Sequence, residues 1–317
     1  MKKLLILALD GVMDSSLAIT LDTLRSAQAF RDGLQWSVVG YRKTVRTGGG
    51  LRLDADCTFR DLATRAAAAE WLVVPGLGLT TDRAIAARFR QRDALAAMEL
   101  LRQRRVAKRI AASCSAVFLL AEAGLLAGRA ATTTWWLAQA FRERYPDVRL
   151  DESRILVRDG ALLTAGSAFA QLDLALAVVT ATLGPKVAHL CSRYMLIDRR
   201  ASQARYMIRS HVRHVDATVM AAERWIDANL AAPIAITDLA AAVALSPKTL
   251  SRRIAAATGL SPMRFLQRRR VMEAVHLIET TTMTVEAIAA QVGYQDATAL
   301  RKIIRRELGT TPSTLRR

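Results

Sequence analysis

Residues 237–253 read Thr237-Asp238-Leu239-Ala240-Ala241-Ala242-Val243-Ala244-Leu245-Ser246-Pro247-Lys248-Thr249-Leu250-Ser251-Arg252-Arg253. Residues 284–302 repeat the arrangement as Thr284-Val285-Glu286-Ala287-Ile288-Ala289-Ala290-Gln291-Val292-Gly293-Tyr294, then Asp296-Ala297-Thr298-Ala299-Leu300-Arg301-Lys302. Each has a short apolar helix starting at a threonine cap, a tight turn, and a second helix with a separate basic face. That is how a protein presents a helix to the DNA major groove. Two such units in tandem on one chain read two successive groove faces without a dimer partner.

Outward from these units, apolar positions keep a helical period through the last hundred residues. They predict helices over 217–229, 237–243, 247–257, 262–278, 284–291 and 296–307. In the first recognition helix Leu250, Ile254 and Ala257 share one face and turn to the core, which leaves Lys248, Ser251 and Arg252 on another. Ser246-Pro247 supplies a cap followed by a first-turn proline, a sharp start. In the second helix Leu300, Ile303, Ile304 and Leu308 form the buried stripe, and Thr298, Arg301, Lys302 and Arg305 lie outward. Arginine and lysine hydrogen-bond guanine edges, while threonine meets a thymine methyl or a phosphate. Any one of these cations reads equally well as a solvated surface charge; the set as a whole reads as DNA binding.

Leu260-Ser261-Pro262, the helix through Arg268-Arg269-Arg270, Val292-Gly293-Tyr294 and Arg305-Arg306-Glu307-Leu308-Gly309-Thr310-Thr311-Pro312 resemble the AraC family of transcription regulators. The resemblance covers essentially all of 217–317. It implies an all-α domain of seven helices, with a central helix at 262–278 holding two recognition helices in neighbouring major-groove segments. It also implies base-facing positions for Lys248, Ser251, Arg252, Ala297, Thr298, Arg301 and Lys302; Arg253 and Arg305 complete the expected DNA-binding set.

The first 184 residues alternate instead. Apolar runs at Leu4–Leu9, Trp36–Val39, Trp71–Pro75, Arg109–Ser113 and Leu162–Ala165 predict strands. Between them Leu17–Phe30, Thr80–Gln91 or longer, Ala116–Ala123, Thr134–Tyr145 and Gln171–Leu183 predict helices, and 186–195 allows one more. Strands alternating with helices of this length give a mainly parallel sheet covered on both faces. Gly48-Gly49-Gly50 and Gly76-Leu77-Gly78 punctuate the strand ends.

Ser113-Cys114-Ser115 stands between a strand and a helix. A cysteine there sits near unpaired helix N–H groups, which favour a thiolate or an anion. With the following Ala116 to Leu126, Val73-Val74-Pro75-Gly76, Ala131-Thr132-Thr133-Thr134-Trp135 and Gly166 to Leu176, it resembles the DJ-1/PfpI branch of the class I glutamine-amidotransferase-like fold. The resemblance implies a flavodoxin-like α/β domain; joined to the tail, it resembles the GlxA-type regulators. Enzymes of the superfamily pair the elbow cysteine with a histidine and an acid from the first strand-helix turn. Asp14 aligns with the acid, and Thr134 stands where histidine is usual. Threonine is no general base near neutral pH, so Cys114, Asp14 and Thr134 form a degenerate catalytic set, and a DJ-1/PfpI-type amidase or hydratase is the alternative reading. The expected role is effector binding by Asp14, Gly76, Cys114, Ser115, Thr134 and Trp135, for an amino acid or amine-like metabolite. No cofactor and no metal are expected.

The sequence carries a formal charge of +18. Residues 1–184 hold 25 Lys+Arg against 18 Asp+Glu, 185–216 hold 7 against 2, and 217–317 hold 14 against 8. The excess per residue is therefore densest after 184, as a polyanion-binding tail requires. No apolar run reaches the roughly 18 residues of a membrane span, and Asp10 cuts short the one stretch that looks like a signal peptide. Cys57, Cys114 and Cys191 are too few and too far apart for a disulfide framework, which points to a reducing cytoplasm. The expected organisation is an effector-binding, dimerising domain over 1–185, a basic linker over 186–214 and the DNA-binding domain over 215–317. Expected partners are double-stranded promoter DNA, a second copy of the chain, a small-molecule effector and RNA polymerase.

Overall fold

Leu4-Leu5-Ile6-Leu7-Ala8 and Trp71-Leu72-Val73-Val74 are apolar at every position, so neither can face water on one side. Both lie at the centre of a seven-stranded sheet in the computed structural model, which describes residues 1–317 except 64–67, 104–105, 199, 201, 204–205, 208–215 and 317. Strand β1 (Lys2–Ala8) leads to helix α1 (Asp14–Phe30) and β2 (Leu34–Gly40). A hairpin of β3 (Thr44–Arg46) and β4 (Arg52–Asp54) follows, then β5 (Cys57–Thr58), α2 (Phe59–Ala63) and β6 (Ala69–Val74). Helices α3 (Asp82–Arg88) and α4 (Arg92–Arg102) precede β7 (Ala107–Ser113) and α5 (Ala116–Glu122). The short β8 (Ala130–Ala131), α6 (Ala138–Arg144) and β9 (Arg149–Leu150) lead to β10 (Leu156–Asp159), β11 (Leu162–Ala165), α7 (Ala170–Leu183) and α8 (Pro185–Tyr194).

The sheet order is β10-β11-β7-β6-β1-β2-β5. All pairs are parallel except the edge pair β10–β11. Strand alternation divides the core in two: Leu5, Leu7, Leu72 and Val74 pack with Phe118 of α5 and Phe141 of α6, whereas Leu4, Ile6, Trp71 and Val73 pack with Leu17 of α1, Val178 of α7 and Cys191 of α8. This is the doubly wound sheet expected. Chain order reverses between β1 and β6, the point where such folds open a crevice at the strand C-termini.

Two expectations change. The helical stretch expected from Thr80 to Gln91 or beyond is two helices, α3 ending at Arg88 and α4 starting at Arg92: the Arg88 guanidinium forms a buried pair with Asp93 (Nη1–Oδ1 2.8 Å) across the break. The start of the expected linker is α8, with Val187, Ala188 and Cys191 buried in the domain core. Its stretch 208–215 lies outside the described residues. The chain divides into units Met1–Arg200 and Ala201–Arg317.

The second unit is helical: α9 (Ala217–Ala228), α10 (Ile236–Ala242), α11 (Pro247–Thr258), α12 (Pro262–Thr280), α13 (Val285–Gln291), α14 (Ala297–Leu308) and α15 (Pro312–Leu315). It has two cores joined by α12. Phe265 and Leu266 belong to the cluster of α9, α10 and α11; Val271, Ala274, Val275 and Ile278 belong to that of α13 and α14. Four of the caps fall on Ser246, Ser261, Thr284 and Asp296, each accepting the backbone N–H three residues on. The first helix-turn-helix departs from the expected threonine cap. There α10 begins at Ile236, and Asp238 reaches back to the Ala235 N–H at 3.0 Å. No helix among the described residues is long and apolar enough to cross a membrane.

Candidate nucleic-acid interface and nucleophile elbow

Burial sorts the expected DNA-binding residues. Leu250 and Ile254 on α11, and Leu300 and Ile304 on α14, are fully buried, each contributing roughly 1.5–3 kcal/mol. They fix which faces remain outside. Lys248, Arg252, Thr298, Lys302 and Arg305 are exposed on those faces, and Ser251 is half-buried with its hydroxyl donated to the Pro247 carbonyl at 2.7 Å. Arg301 is exposed and donates to Glu286 of α13 at 2.7 Å. The backbone N–H of Glu286 itself and the Arg301 guanidinium hold the Glu286 carboxyl below the usual range. Two members of the set behave differently. Ala297 is only 7% exposed, packed at the start of α14 in the α13–α14 core. Arg253 donates to Thr218 at 2.9 Å and pairs with Asp216 at 3.3 Å, which ties α11 to the cap of α9.

The turns preceding the recognition helices share one geometry. Ala244 (φ 54°) and Gly293 (φ 75°) both adopt the left-handed region. Leu245 donates to Ala240 at 2.9 Å and Tyr294 to Ala289 at 2.8 Å, closing the preceding helix alike. Two arginines of α12 hold it to the flanking helices. Arg269 is buried against Glu223 and Asp227 of α9. Arg270 donates to the Ala232 carbonyl at 2.8 Å and lies over the Tyr294 ring at 5.9 Å. A charge inside an apolar stripe that includes Phe265 and Met272 was the available signal for Arg269.

In the other unit Cys114 is an elbow in fact. Its φ is 53°, and its N–H donates to the carbonyls of Ala165 and Gly166. A non-glycine residue held there costs about 1–2 kcal/mol and marks a constrained site. A Cβ placed on Gly76 would meet Cys114 Cβ at 3.0 Å, Ser16 Oγ at 3.1 Å and Ser113 Oγ at 3.3 Å, so those three side chains converge on the Gly76 backbone. The Ser115 hydroxyl accepts the Leu79 N–H at 3.1 Å. Thr133 donates to the Cys114 carbonyl at 2.8 Å, and Thr134 lies 3.3 Å from the Ser167 hydroxyl. Cys114 is 1% and Thr134 0% exposed; Trp135 is buried edge-on to Trp136.

Asp14 has its hydrogen-bond partners in the β3–β4 hairpin. Its carboxylate accepts the Thr47 hydroxyl at 2.5 Å and the Gly49 N–H at 2.7 Å, and these bonds hold its carboxyl below the usual range. It anchors the β3–β4 hairpin, whose turn contains the Gly48-Gly49-Gly50 run. In the first turn of α1 Ser16 reaches the elbow, fully buried, with a hydroxyl that has no hydrogen-bond partner among the described residues. Beside it a buried chain runs from Ser113 to Gln171 (2.5 Å), from Gln171 to Thr20 (2.7 Å) and from Thr20 to the Ser16 carbonyl (2.8 Å). Ser16, Thr20 and Thr23 recur at helical spacing on the buried face of α1. Polar residues on a core-facing stripe were the sequence signal for this network.

A family model described as the DJ-1/PfpI family matches residues 2–181, over half of the chain. The chain belongs to the DJ-1/PfpI family. A helix-turn-helix domain matches residues 239–317. The chain is 24% identical to the transcriptional regulator GbdR of Pseudomonas aeruginosa over 313 residues, 96% of this chain and 82% of the relative. It is 26% identical to the transcriptional regulator GlxA of Rhizobium meliloti over 226 residues, 69% and 68% of the two chains. An AraC family transcriptional regulator from Pseudomonas putida superposes with a TM-score of 0.51 at 20% identity, over 62% of this chain and all of that one, a likeness of fold. This DJ-1/PfpI member thus carries an AraC-type helix-turn-helix domain and is a DNA-binding transcription regulator.

Proposed function

We propose that the DJ-1/PfpI domain is a non-catalytic, effector-binding regulator of the helical reader. The carrying observation is the elbow itself. The residue in the position of the usual histidine is Thr134, fully buried against Ser167, and the histidine of the described N-terminal unit, His189, lies exposed on α8. A buried thiol without a base has no partner to take its proton. The proposed effector wall comprises Gly76, Cys114, Ser115, Thr134 and Trp135, with Ser16 beside them. An amino acid or amine-like effector would meet the Asp14 charge at the lip of the crevice, where the β3–β4 hairpin holds it. The working species is a cytoplasmic homodimer on promoter DNA, with RNA polymerase as a further partner. Lys248, Ser251, Arg252, Thr298, Arg301, Lys302 and Arg305 meet DNA, in a binding that weakens steeply with salt.

The left-handed Cys114 favours one second reading, a DJ-1/PfpI-type amidase or hydratase with a DNA-binding tail. Turnover assays on amide, glyoxal and isonitrile substrates separate the two. The expected result is no rate above background, with DNA binding intact in Cys114→Ala. A rate abolished by Cys114→Ala would establish the enzyme instead.

A further inference from the structure

On its outer face α7 carries a second feature that the elbow does not use. Leu176 and Ala177, with Ile197 from the segment after α8, form the apolar part of a cleft of about 410 Å³ between α7, α8 and β10, a size common for small-molecule sites. One wall holds an ion pair: Arg200 donates to Asp173 at 2.5 Å and to the Phe169 carbonyl at 2.7 Å. The Asp173 side chain is nine-tenths buried, and burial pushes its carboxyl up more strongly than Arg200 pulls it down. Arg158 of β10, His189 of α8 and Asp198 also line the cleft, and among the described residues their side chains have no hydrogen-bond or ion-pair partner. Arg158 and Arg200 thus face Asp173 and Asp198. If the buried carboxyl takes a proton, the cleft gains one positive charge and matches one monoanion.

We propose that this cleft binds a small organic monocarboxylate, its carboxylate on Arg158 and Arg200 in exchange for Asp173, its hydrocarbon on Leu176, Ala177 and Ile197. The exchange balances as one ligand anion and one proton taken up, the proton going to Asp173. A carboxylate with an open side replaces one that is almost wholly desolvated, so Arg200 keeps an ionic partner while the buried charge is removed. Arg200 is the last residue of the N-terminal unit. The exchange therefore acts on the anchored end of the chain that runs into the DNA-binding unit.

Titration calorimetry of the full chain with hexanoate, and with hexylammonium as the opposite charge, tests this. Hexanoate should bind one to one and hexylammonium should not. As pH rises the affinity should fall, by up to about tenfold per unit where one proton is taken up on binding. Asp173→Asn should bind at least as tightly and without that slope, whereas His189→Gln should keep it. Arg158→Gln should weaken binding about tenfold or more. Ala177→Phe, which removes no bond and fills the cleft, should abolish it with the circular dichroism melt preserved. Absence of hexanoate binding, equal binding of hexylammonium, or a pH slope lost in His189→Gln and kept in Asp173→Asn would overturn the assignment. Binding that survives Ala177→Phe and disappears in Gly76→Ala would place the ligand at the elbow, sinking this inference and leaving the regulatory reading intact.

Discussion

The two helix-turn-helix units fold alike and are held for different reasons. Ala244 and Gly293 occupy the same left-handed position and are followed by the same pair of helix-closing hydrogen bonds. Ala244 is exposed, so its backbone conformation is a local cost with nothing pressing on it. At Gly293 a Cβ would lie well inside contact of the Leu230 carbonyl oxygen and 2.6 Å from Arg270 Nη2. The second turn is a joint to the rest of the domain; the first is free. The recognition helices differ in the same sense. Among the described residues Arg252 on α11, which is exposed, has no hydrogen-bond or ion-pair partner, whereas Arg301 on α14 is held by Glu286. Repetition of a motif therefore conserves backbone geometry, while neighbours decide what each copy does.

The sharpest way to break this comparison is Gly293→Ala. Left-handed strain and the clash with Leu230 and Arg270 together should cost about 3 kcal/mol or more, read as an earlier urea transition of the helical unit. A loss no greater than that of an ordinary surface substitution would show that the two turns are equivalent after all. Next in size, Arg252→Ala should weaken operator binding by about 1–3 kcal/mol and relax specificity at one base pair. In a gel-shift titration, equal weakening on operator and random DNA would remove Arg252 from base reading.

The partner of Arg301 gives a finer test. The folded Glu286 carboxyl lies below its usual range, so the pair is present at neutral pH and is lost only as pH falls through that lowered value. Glu286→Gln should then raise DNA affinity at neutral pH, and the gain over wild type should shrink under acid conditions. A variant that binds more weakly would mean that Glu286 orients Arg301 for the groove. Smallest of all, Ala244→Gly should stabilise the protein by about 0.5–1 kcal/mol by removing the left-handed penalty, and an unchanged melting transition would contradict the strain at that turn.

Much of this was legible beforehand because period is a strong signal. All five strands read from the N-terminal half occur within the sheet, and the DNA-binding helices fall within a few residues of their expected limits. The edge strand β10 and the β3–β4 hairpin escaped notice because Leu156-Val157-Arg158-Asp159 and Thr44-Val45-Arg46 are too short to show alternation. Among site residues, exposure of Arg252, Lys302 and Arg305 followed from the opposite apolar stripe. Burial of Ala297 continues that same stripe, three residues before Leu300, against the base-facing position that the resemblance implied.

The sequence by itself determined the two architectures, the elbow at Cys114 and the basic faces of the recognition helices. These depend on spacing along one element, and helical and strand periods are local properties of the chain. Only the tertiary structure decided that Asp14 serves the hairpin while Ser16 reaches the elbow, that Arg253 and Arg269 brace helices, and that Asp173 finds Arg200. Each is a pairing between distant residues, and a charge or hydroxyl in a sequence carries no record of which partner the fold will bring within hydrogen-bond reach.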